Sequence, residues 1–367
     1  MQSIFETRSL PDVLTFSDGG RVKDTRDWER RRTEIAELLQ KEEYGYRPAP
    51  PQSMEVVEIR SGVSCAGSAT EHFAEMRLVL SDGTPFSFPF HYTLPKNPTK
   101  PVPAFLHVNF RSNVPDRYMP VEEIIDNGFA VFSFCYTDVT SDDGDFDSLL
   151  AGAFYHGRER GASDPGKIAL WSWAASRVCD FMQTVEEIDQ NALAIVGHSR
   201  LGKTALLTGA LDPRFTFVAS NDAGCSGDAP MRGKVAGNER VSIITERFPF
   251  WFCPRYLTYA GNEETAAFDQ HFLLALTAPR FLLTGSAELD LWADPPGQYL
   301  SAALAGRVWE LYGLSPALPT DAFPKVGDEF SDGCIGYHYR SGTHFFSRRD
   351  WGAYMRFIRR HLDRSST

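Results

Sequence analysis

The chain has 367 residues, 43% of them apolar and 23% charged, the balance of a soluble globular protein long enough for one large α/β domain or two small ones. A formal charge of -11 argues against nucleic acid and anionic membrane as partners. No apolar run reaches the length of about 18 residues that a transmembrane helix needs, so none is expected.

The first residues, Met1-Gln2-Ser3-Ile4-Phe5-Glu6, lack the basic stretch and apolar core of a signal peptide. A cytoplasmic address is the expectation, or a secreted or periplasmic one if the chain is a mature form. Residues 25–43 read as a charged amphipathic helix with Trp28, Ile35, Leu38 and Leu39 on its apolar face and Thr25 or Asp27 as its cap. Tyr44-Gly45-Tyr46-Arg47-Pro48 ends it. From about 54 to 94 the period changes to two, in Val56–Arg60, Ala74–Leu80 and Phe86–Tyr92, with Ser81-Asp82-Gly83 as a turn. An antiparallel meander at the edge of a sheet is predicted.

Beyond it, residues 102–109 and 129–134 are nearly all apolar, as strands covered on both faces must be. The acidic loop Ser141-Asp142-Asp143-Gly144-Asp145-Phe146-Asp147 has carboxylates spaced as if for a cation but lacks the full calcium-loop pattern, so it reads as a solvated loop. A helix is expected over 171–185, then buried strands at 193–196, 217–220 and 280–284. This alternation predicts a mostly parallel, doubly wound sheet between helical layers, with the meander as its N-terminal antiparallel edge, in a single domain over 1–367. The six cysteines show no C-x-x-C spacing and read as buried thiols, with one disulfide left open.

The segment from Leu193 to Leu207 carries the chemistry: an apolar strand, the turn Gly197-His198-Ser199, then an Ala/Leu-rich helix. That order fits a nucleophile elbow, which lifts a serine hydroxyl clear of the sheet and turns the next backbone N–H toward a developing oxyanion. The second glycine comes one place late, with Leu201 where it is expected. A nucleophilic Ser199 requires a base and an orienting acid. In α/β-hydrolases these follow in the order acid, then histidine. Of His271, His338 and His344, His344 is favoured, because it lies in the turn Ser341-Gly342-Thr343 just before a final amphipathic helix. His338 reads as structural or as a neighbour of substrate. Asp222 and Asp290 each follow a buried strand, where active sites of parallel sheets collect, and spacing does not choose between them. Arg200 and Lys203 stand at a helix start, against the macrodipole, which points to an anionic or developing-anionic ligand.

The string Gly197-His198-Ser199-Arg200-Leu201-Gly202-Lys203 resembles the G-C-S-R-x-G-K signature of glucuronoyl esterases, carbohydrate esterase family 15, in which the glycine is delayed in the same way. Similarity continues in Ser220-Asn221-Asp222-Ala223-Gly224-Cys225, Phe248-Pro249-Phe250-Trp251-Phe252-Cys253, Asp269-Gln270-His271, Leu291-Trp292-Ala293-Asp294-Pro295 and Gly342-Thr343-His344, and near the N-terminus in Asp27-Trp28-Glu29-Arg30-Arg31-Arg32 with Tyr44-Gly45. The resemblance implies an α/β-hydrolase three-layer sandwich. It also implies hydrolysis, with no metal or cofactor, of esters between (4-O-methyl-)glucuronic acid on xylan and lignin alcohols. Carried over, Ser199 is the nucleophile, His344 the base and Arg200 the oxyanion donor. Lys203, Glu239 and Trp292 then bind the sugar. His198 stands where cysteine is common, and Asp222 where glutamate is frequent. The shorter acid tilts the orienting role toward Asp290, which matches a second acid of some bacterial members. The expected partner is a small or oligosaccharide uronate ester, bound by a monomer. Two other readings are a carbohydrate acetyl esterase on the same scaffold and a silent carbohydrate-binding protein. The second is disfavoured because serine, histidine and two candidate acids are all present.

Overall fold

The alternating stretch folds as three long antiparallel strands in the computed structural model, which describes residues 8–320 and 322–365. They are β1 (Ser53–Ser64), β2 (Ala69–Val79) and β3 (Pro85–Pro95). Phe86, Phe88 and Phe90 stand opposite Leu78, Met76 and Ala74 and are buried with them, while Ser87 and Arg77 face solvent. The period of two therefore gives the meander one dry face and one wet face. The apolar runs form β4 (Val102–Asn109), β5 (Ala130–Cys135), β6 (Ile188–His198), β7 (Phe217–Asn221), β8 (Phe281–Ala287) and β10 (Ile335–Arg340), with the short β9 (Glu329–Phe330) before the last. Among the described residues these strands make one sheet in the order β1-β2-β3-β5-β4-β6-β7-β8-β10-β9. From β5 to β10 neighbouring strands are parallel, and β9 and the meander close the two edges antiparallel.

The helices are α1 (Thr25–Leu39), α2 (Val121–Asp126), α3 (Tyr136–Val139), α4 (Leu149–Tyr155), α5 (Lys167–Met182), α6 (Arg200–Leu211), α7 (Val241–Arg247), α8 (Gln270–Ala275), α9 (Pro295–Leu311) and α10 (Arg348–Ser365). They cover both faces of the sheet. Successive β4 side chains point to opposite cores: Ala104, Leu106 and Val108 join Trp28, Trp171 and Trp309 on one side, and Phe105 joins Ile124, Trp351 and Phe357 on the other. This is the three-layer α/β-hydrolase arrangement. The chain leaves β4 for β5 on one side and returns to β6 on the other, so the carboxyl ends of β4 and β6 flank the point where strand order reverses. Ser199 follows β6 directly.

Local details depart from the sequence reading. The N-cap of α1 is Asp24, whose side chain accepts the Asp27 N–H at 2.9 Å, rather than Thr25 or Asp27. The helix widens into a π turn over Gln40–Tyr44. Helix α5 begins at Lys167, ahead of residue 171, and ends at Met182. Its polar first residue hid the start, because the Lys167 ammonium folds away into residues 140–145. All six cysteines are free thiols. No helix among the described residues is long and apolar enough to cross a membrane.

Helix α6 lies so close to β7 that a Cβ on Gly209 would meet Val218 Cγ2 at 2.2 Å. Replacing a mid-helix glycine by alanine ordinarily gains about 1 kcal/mol, but overpacking against a stiff, buried β-branched side chain loses about 1–3 kcal/mol. Gly209→Ala is therefore expected to lower the melting temperature by a few degrees, measured by thermal denaturation. An increase would contradict this packing.

Candidate active site

The turn after β6 is tight for identifiable reasons. A Cβ on Gly197 would lie 2.0 Å from the Leu201 carbonyl oxygen, and one on Gly202 would lie 3.0 Å from Ala223 Cβ and 3.1 Å from Ser220 Oγ. The first glycine lets the helix fold back on the strand, and the second lets it press against the end of β7. Leu201, at the position between, is fully buried. The delayed glycine thus reports where the helix touches the sheet. Ser199 is forced to φ 57°, ψ -128°, a conformation that stores about 1–3 kcal/mol of strain. Its N–H is fixed by the Asn221 carbonyl at 2.9 Å. Arg200 is the first residue of α6, where a backbone N–H has no intrahelical acceptor.

His344 Nε2 lies 2.9 Å from Ser199 Oγ, and His344 Nδ1 lies 2.6 Å from Asp290 Oδ2. Asp290 is buried at the end of β8, and its other oxygen accepts the Ala293 N–H of the following turn. Asp222 comes close but takes no part in the chain of bonds. Its Oδ1 accepts the Ala287 N–H at 3.0 Å, and its Oδ2 faces Arg340 Nη2 at 3.4 Å. Burial, reinforced by the Asp290 and Asp350 charges, pushes the Asp222 carboxyl well up. One donor atom each of Asp222, Asp290 and His344 lie within 4.8 Å of one another. This is the one such trio among the described residues, and hydrogen bonds within the protein already engage these side chains. A hydroxyl, an imidazole and a carboxylate in this order can move a proton from oxygen to nitrogen while the carboxylate holds the ring's tautomer and faces the imidazolium.

The loop carrying His344 is clamped from below. Arg340, buried at the end of β10, donates Nη1 to the Ser341 and Thr343 carbonyls at 3.2 and 3.3 Å and Nη2 to the Phe345 carbonyl. Its Nε reaches both oxygens of Asp350, at 2.8 and 2.9 Å. His338 Nε2 meets Asp350 at 2.7 Å, so His338 is structural, and His271 is buried against the Pro11 carbonyl. Burial opposes the Asp350 anion, but His338, Arg340 and Ser347 outweigh it and hold the carboxyl at about 2. His198 lies beneath His344, ring centroids 4.5 Å apart, with Nδ1 2.7 Å from Asn221 Oδ1. Burial, then the His344 charge, push His198 down to about 3, so it stays neutral under the neighbouring ring.

The two cations at the start of α6 have protein partners. Lys203 is buried, and its ammonium donates to the Ala223 and Cys225 carbonyls at 2.5 and 2.6 Å and to Glu239 Oε2 at 3.1 Å. The ammonium is thus engaged by three acceptors within the protein. Glu239 is tied to the Trp292 carbonyl through its own N–H at 2.8 Å. Trp292 is 38% exposed, with Leu289 and Leu291 more exposed on either side of buried Asp290. Arg200 is paired with Asp142, which makes the acidic loop only partly solvated. The Arg340–Asp350 clamp and the pairing of Asp142 with Arg200 are not expected from the sequence, since no local pattern marks contacts 10 and 58 residues apart.

A family model described as glucuronyl esterase, fungi, matches residues 78–313, a span that holds Ser199, Asp222, Glu239 and Asp290 but not His344. A carbohydrate esterase from an unknown prokaryotic organism is 30% identical to this chain, over 96% of it and 90% of the relative. A 4-O-methyl-glucuronoyl methylesterase from Wolfiporia cocos is 30% identical over 83% of this chain and 72% of its own. The solved structure of a glucuronoyl esterase from Solibacter usitatus superposes with a TM-score of 0.88 at 30% identity, covering 96% of this chain and 97% of the other.

Removing one member of a buried ion pair is destabilising by about 3–5 kcal/mol. Asp350→Ala, which takes from Arg340 Nε its two-oxygen partner and leaves only the longer carboxylate contact of Asp222, is expected to lower stability in urea by up to that amount. Because the Asp350 carboxyl lies below the ordinary value of about 4, its contribution is present above pH 4 and lost as the pH falls through about 2. The variant should lack that part of the acid sensitivity. An unchanged urea midpoint would contradict the clamp.

Proposed function

The chain belongs to the glucuronoyl esterase family, and on that premise we propose that it hydrolyses esters of glucuronic and 4-O-methylglucuronic acid through an acyl-enzyme on Ser199. It is a carboxylic ester hydrolase. Ser199 Oγ attacks the ester carbonyl as His344 Nε2 takes its proton, and the carbonyl oxygen becomes an oxyanion. Asp290 faces the imidazolium at Nδ1. As the tetrahedral species collapses, His344 returns the proton to the departing alcohol oxygen, leaving the uronyl group on Ser199. A water molecule then attacks with His344 again as base, and the uronic acid leaves.

The oxyanion is met by the Arg200 N–H and by its guanidinium, charge that acts where the transition state becomes anionic and the neutral ester is not. The sugar lies toward Glu239 and Trp292: the carboxylate accepts from ring hydroxyls and the indole offers an apolar face. Lys203 serves this pocket indirectly, by fixing Glu239. Asp222 braces the loop after β8 through the Ala287 N–H. The observation that carries the reading is the unbroken bond chain from Asp290 through His344 to a serine held in a strained elbow.

Hydrolysis of a benzyl glucuronate ester by purified variants tests it. Ser199→Ala is expected to lose activity by at least about 10⁴-fold. Asp290→Asn should lose about 10⁴-fold through the wrong tautomer, and Asp222→Asn less than about tenfold, since it does not touch the ring. A retained Asp290→Asn activity with a crippled Asp222→Asn would reassign the acid. Equal rates for wild type and Ser199→Ala would remove the serine from the mechanism. A strong preference for acetylated xylan over the glucuronate ester would overturn the substrate.

A further inference from the structure

The acidic loop 141–147 has the carboxylate spacing of a cation site, and a cation does sit in it. The Lys167 ammonium, at the start of α5, donates to Thr140 Oγ1 at 2.8 Å, to Ser141 Oγ at 3.4 Å and to the Asp145 carbonyl, and lies 4.3 Å from the centre of the Phe146 ring. The loop is therefore built around its own lysine. Asp143, Asp145 and Asp147 stay exposed, whereas Asp142 turns inward, with its side chain 12% exposed.

Each Asp142 oxygen has defined work. Oδ1 accepts Trp251 Nε1–H at 2.7 Å, and Oδ2 accepts the Tyr136 hydroxyl at 2.9 Å and pairs with Arg200 Nη1. Trp251 is also the nearest ring to the Arg200 guanidinium, 4.7 Å from its centroid, and stacks flat on Phe248 at 4.0 Å. One carboxylate thus fixes both the cation and the indole on which the cation lies. A guanidinium is a planar fork, so pinning one terminal nitrogen and one face fixes the direction of the remaining N–H groups. Arg200 Nε is buried and has no acceptor among the described residues. An unsatisfied buried N–H calls for an explanation, and one is a role in the reaction.

We propose that Asp142 is a positioning residue for ester hydrolysis: with Trp251 it holds the Arg200 guanidinium in the one orientation in which its charge meets the oxyanion formed at Ser199. The inference rests on the reading of Arg200 as an oxyanion donor. It makes the loop, through Lys167 and Asp142, a support for a group next to the nucleophile, and it gives the carboxylate no direct contact with substrate.

A double-mutant cycle on the full-length enzyme with a benzyl glucuronate ester tests this. Removal of an oxyanion donor lowers kcat by about 10²–10³-fold, so Arg200→Ala should fall in that range. Asp142→Ala should lower kcat by about 10–100-fold, with KM within about threefold and the midpoint of the pH–rate profile unmoved, because His344 is untouched. In the Arg200→Ala background the same substitution should change kcat less than about twofold. Asp142→Asn keeps the side-chain volume and gives the same comparison if the alanine variant does not fold. An equal loss in both backgrounds, or no loss in wild type, would overturn the proposal while leaving Arg200 as oxyanion donor. Full activity in Arg200→Ala would instead overturn the donor reading and the proposal with it.

Discussion

The close approach of α6 to the ends of β6 and β7 governs the rest of the molecule. Two glycines, at 197 and 202, let the helix backbone lie where a Cβ would collide with a carbonyl or with a β7 side chain. The residue caught between strand and helix must then take a positive φ, and here it is Ser199. That strain is held because the surrounding bonds over-determine it: the Asn221 carbonyl fixes the serine N–H, and the serine carbonyl accepts from Gly202 and Lys203. A half-buried hydroxyl at the mouth of a parallel sheet follows from packing alone.

A second theme is that nearly every charge around the site is answered inside the protein. Lys203 is matched by Glu239, Arg200 by Asp142, Arg340 by Asp350 and Asp294 by Arg8 and Lys234. Buried pairs of this kind contribute little net stability, since desolvation offsets the attraction, but they hold side chains in single orientations. Around Ser199 orientation is what the chemistry needs. The Arg340 fork grips carbonyls on both sides of His344 and so fixes the height of the ring above Ser199, while neutral His198 supports it without adding a competing charge.

The layered fold was legible because period and composition change with burial: the two-residue period of the meander, the solid apolar runs of the parallel strands and the elbow string each have one natural structural outcome. The pairing of Ser199 with a histidine just before the last helix was legible from chain order. Contacts between distant segments were not. Asp142 looked like one of four equivalent loop carboxylates, and only the fold brings it to Arg200 and Trp251. Lys203 reads in the sequence as a cation at a helix start that points to a ligand, and nothing local shows that three acceptors, from Ala223, Cys225 and Glu239, converge on it. The choice between Asp222 and Asp290 was open because both follow buried strands. Their hydrogen bonds differ: one carboxylate meets the imidazole and the other a backbone N–H.

The hydroxyl in the strained turn is expected to become covalently acylated during turnover. An aryl glucuronate ester with a good leaving group makes deacylation the slow step, so acid-quenched enzyme examined by peptide mass spectrometry reports the acylation directly. A uronyl adduct is expected on the peptide containing Ser199 and none in Ser199→Ala. Steady turnover with an adduct at another residue, or with the Ser199 peptide unmodified throughout, would contradict it.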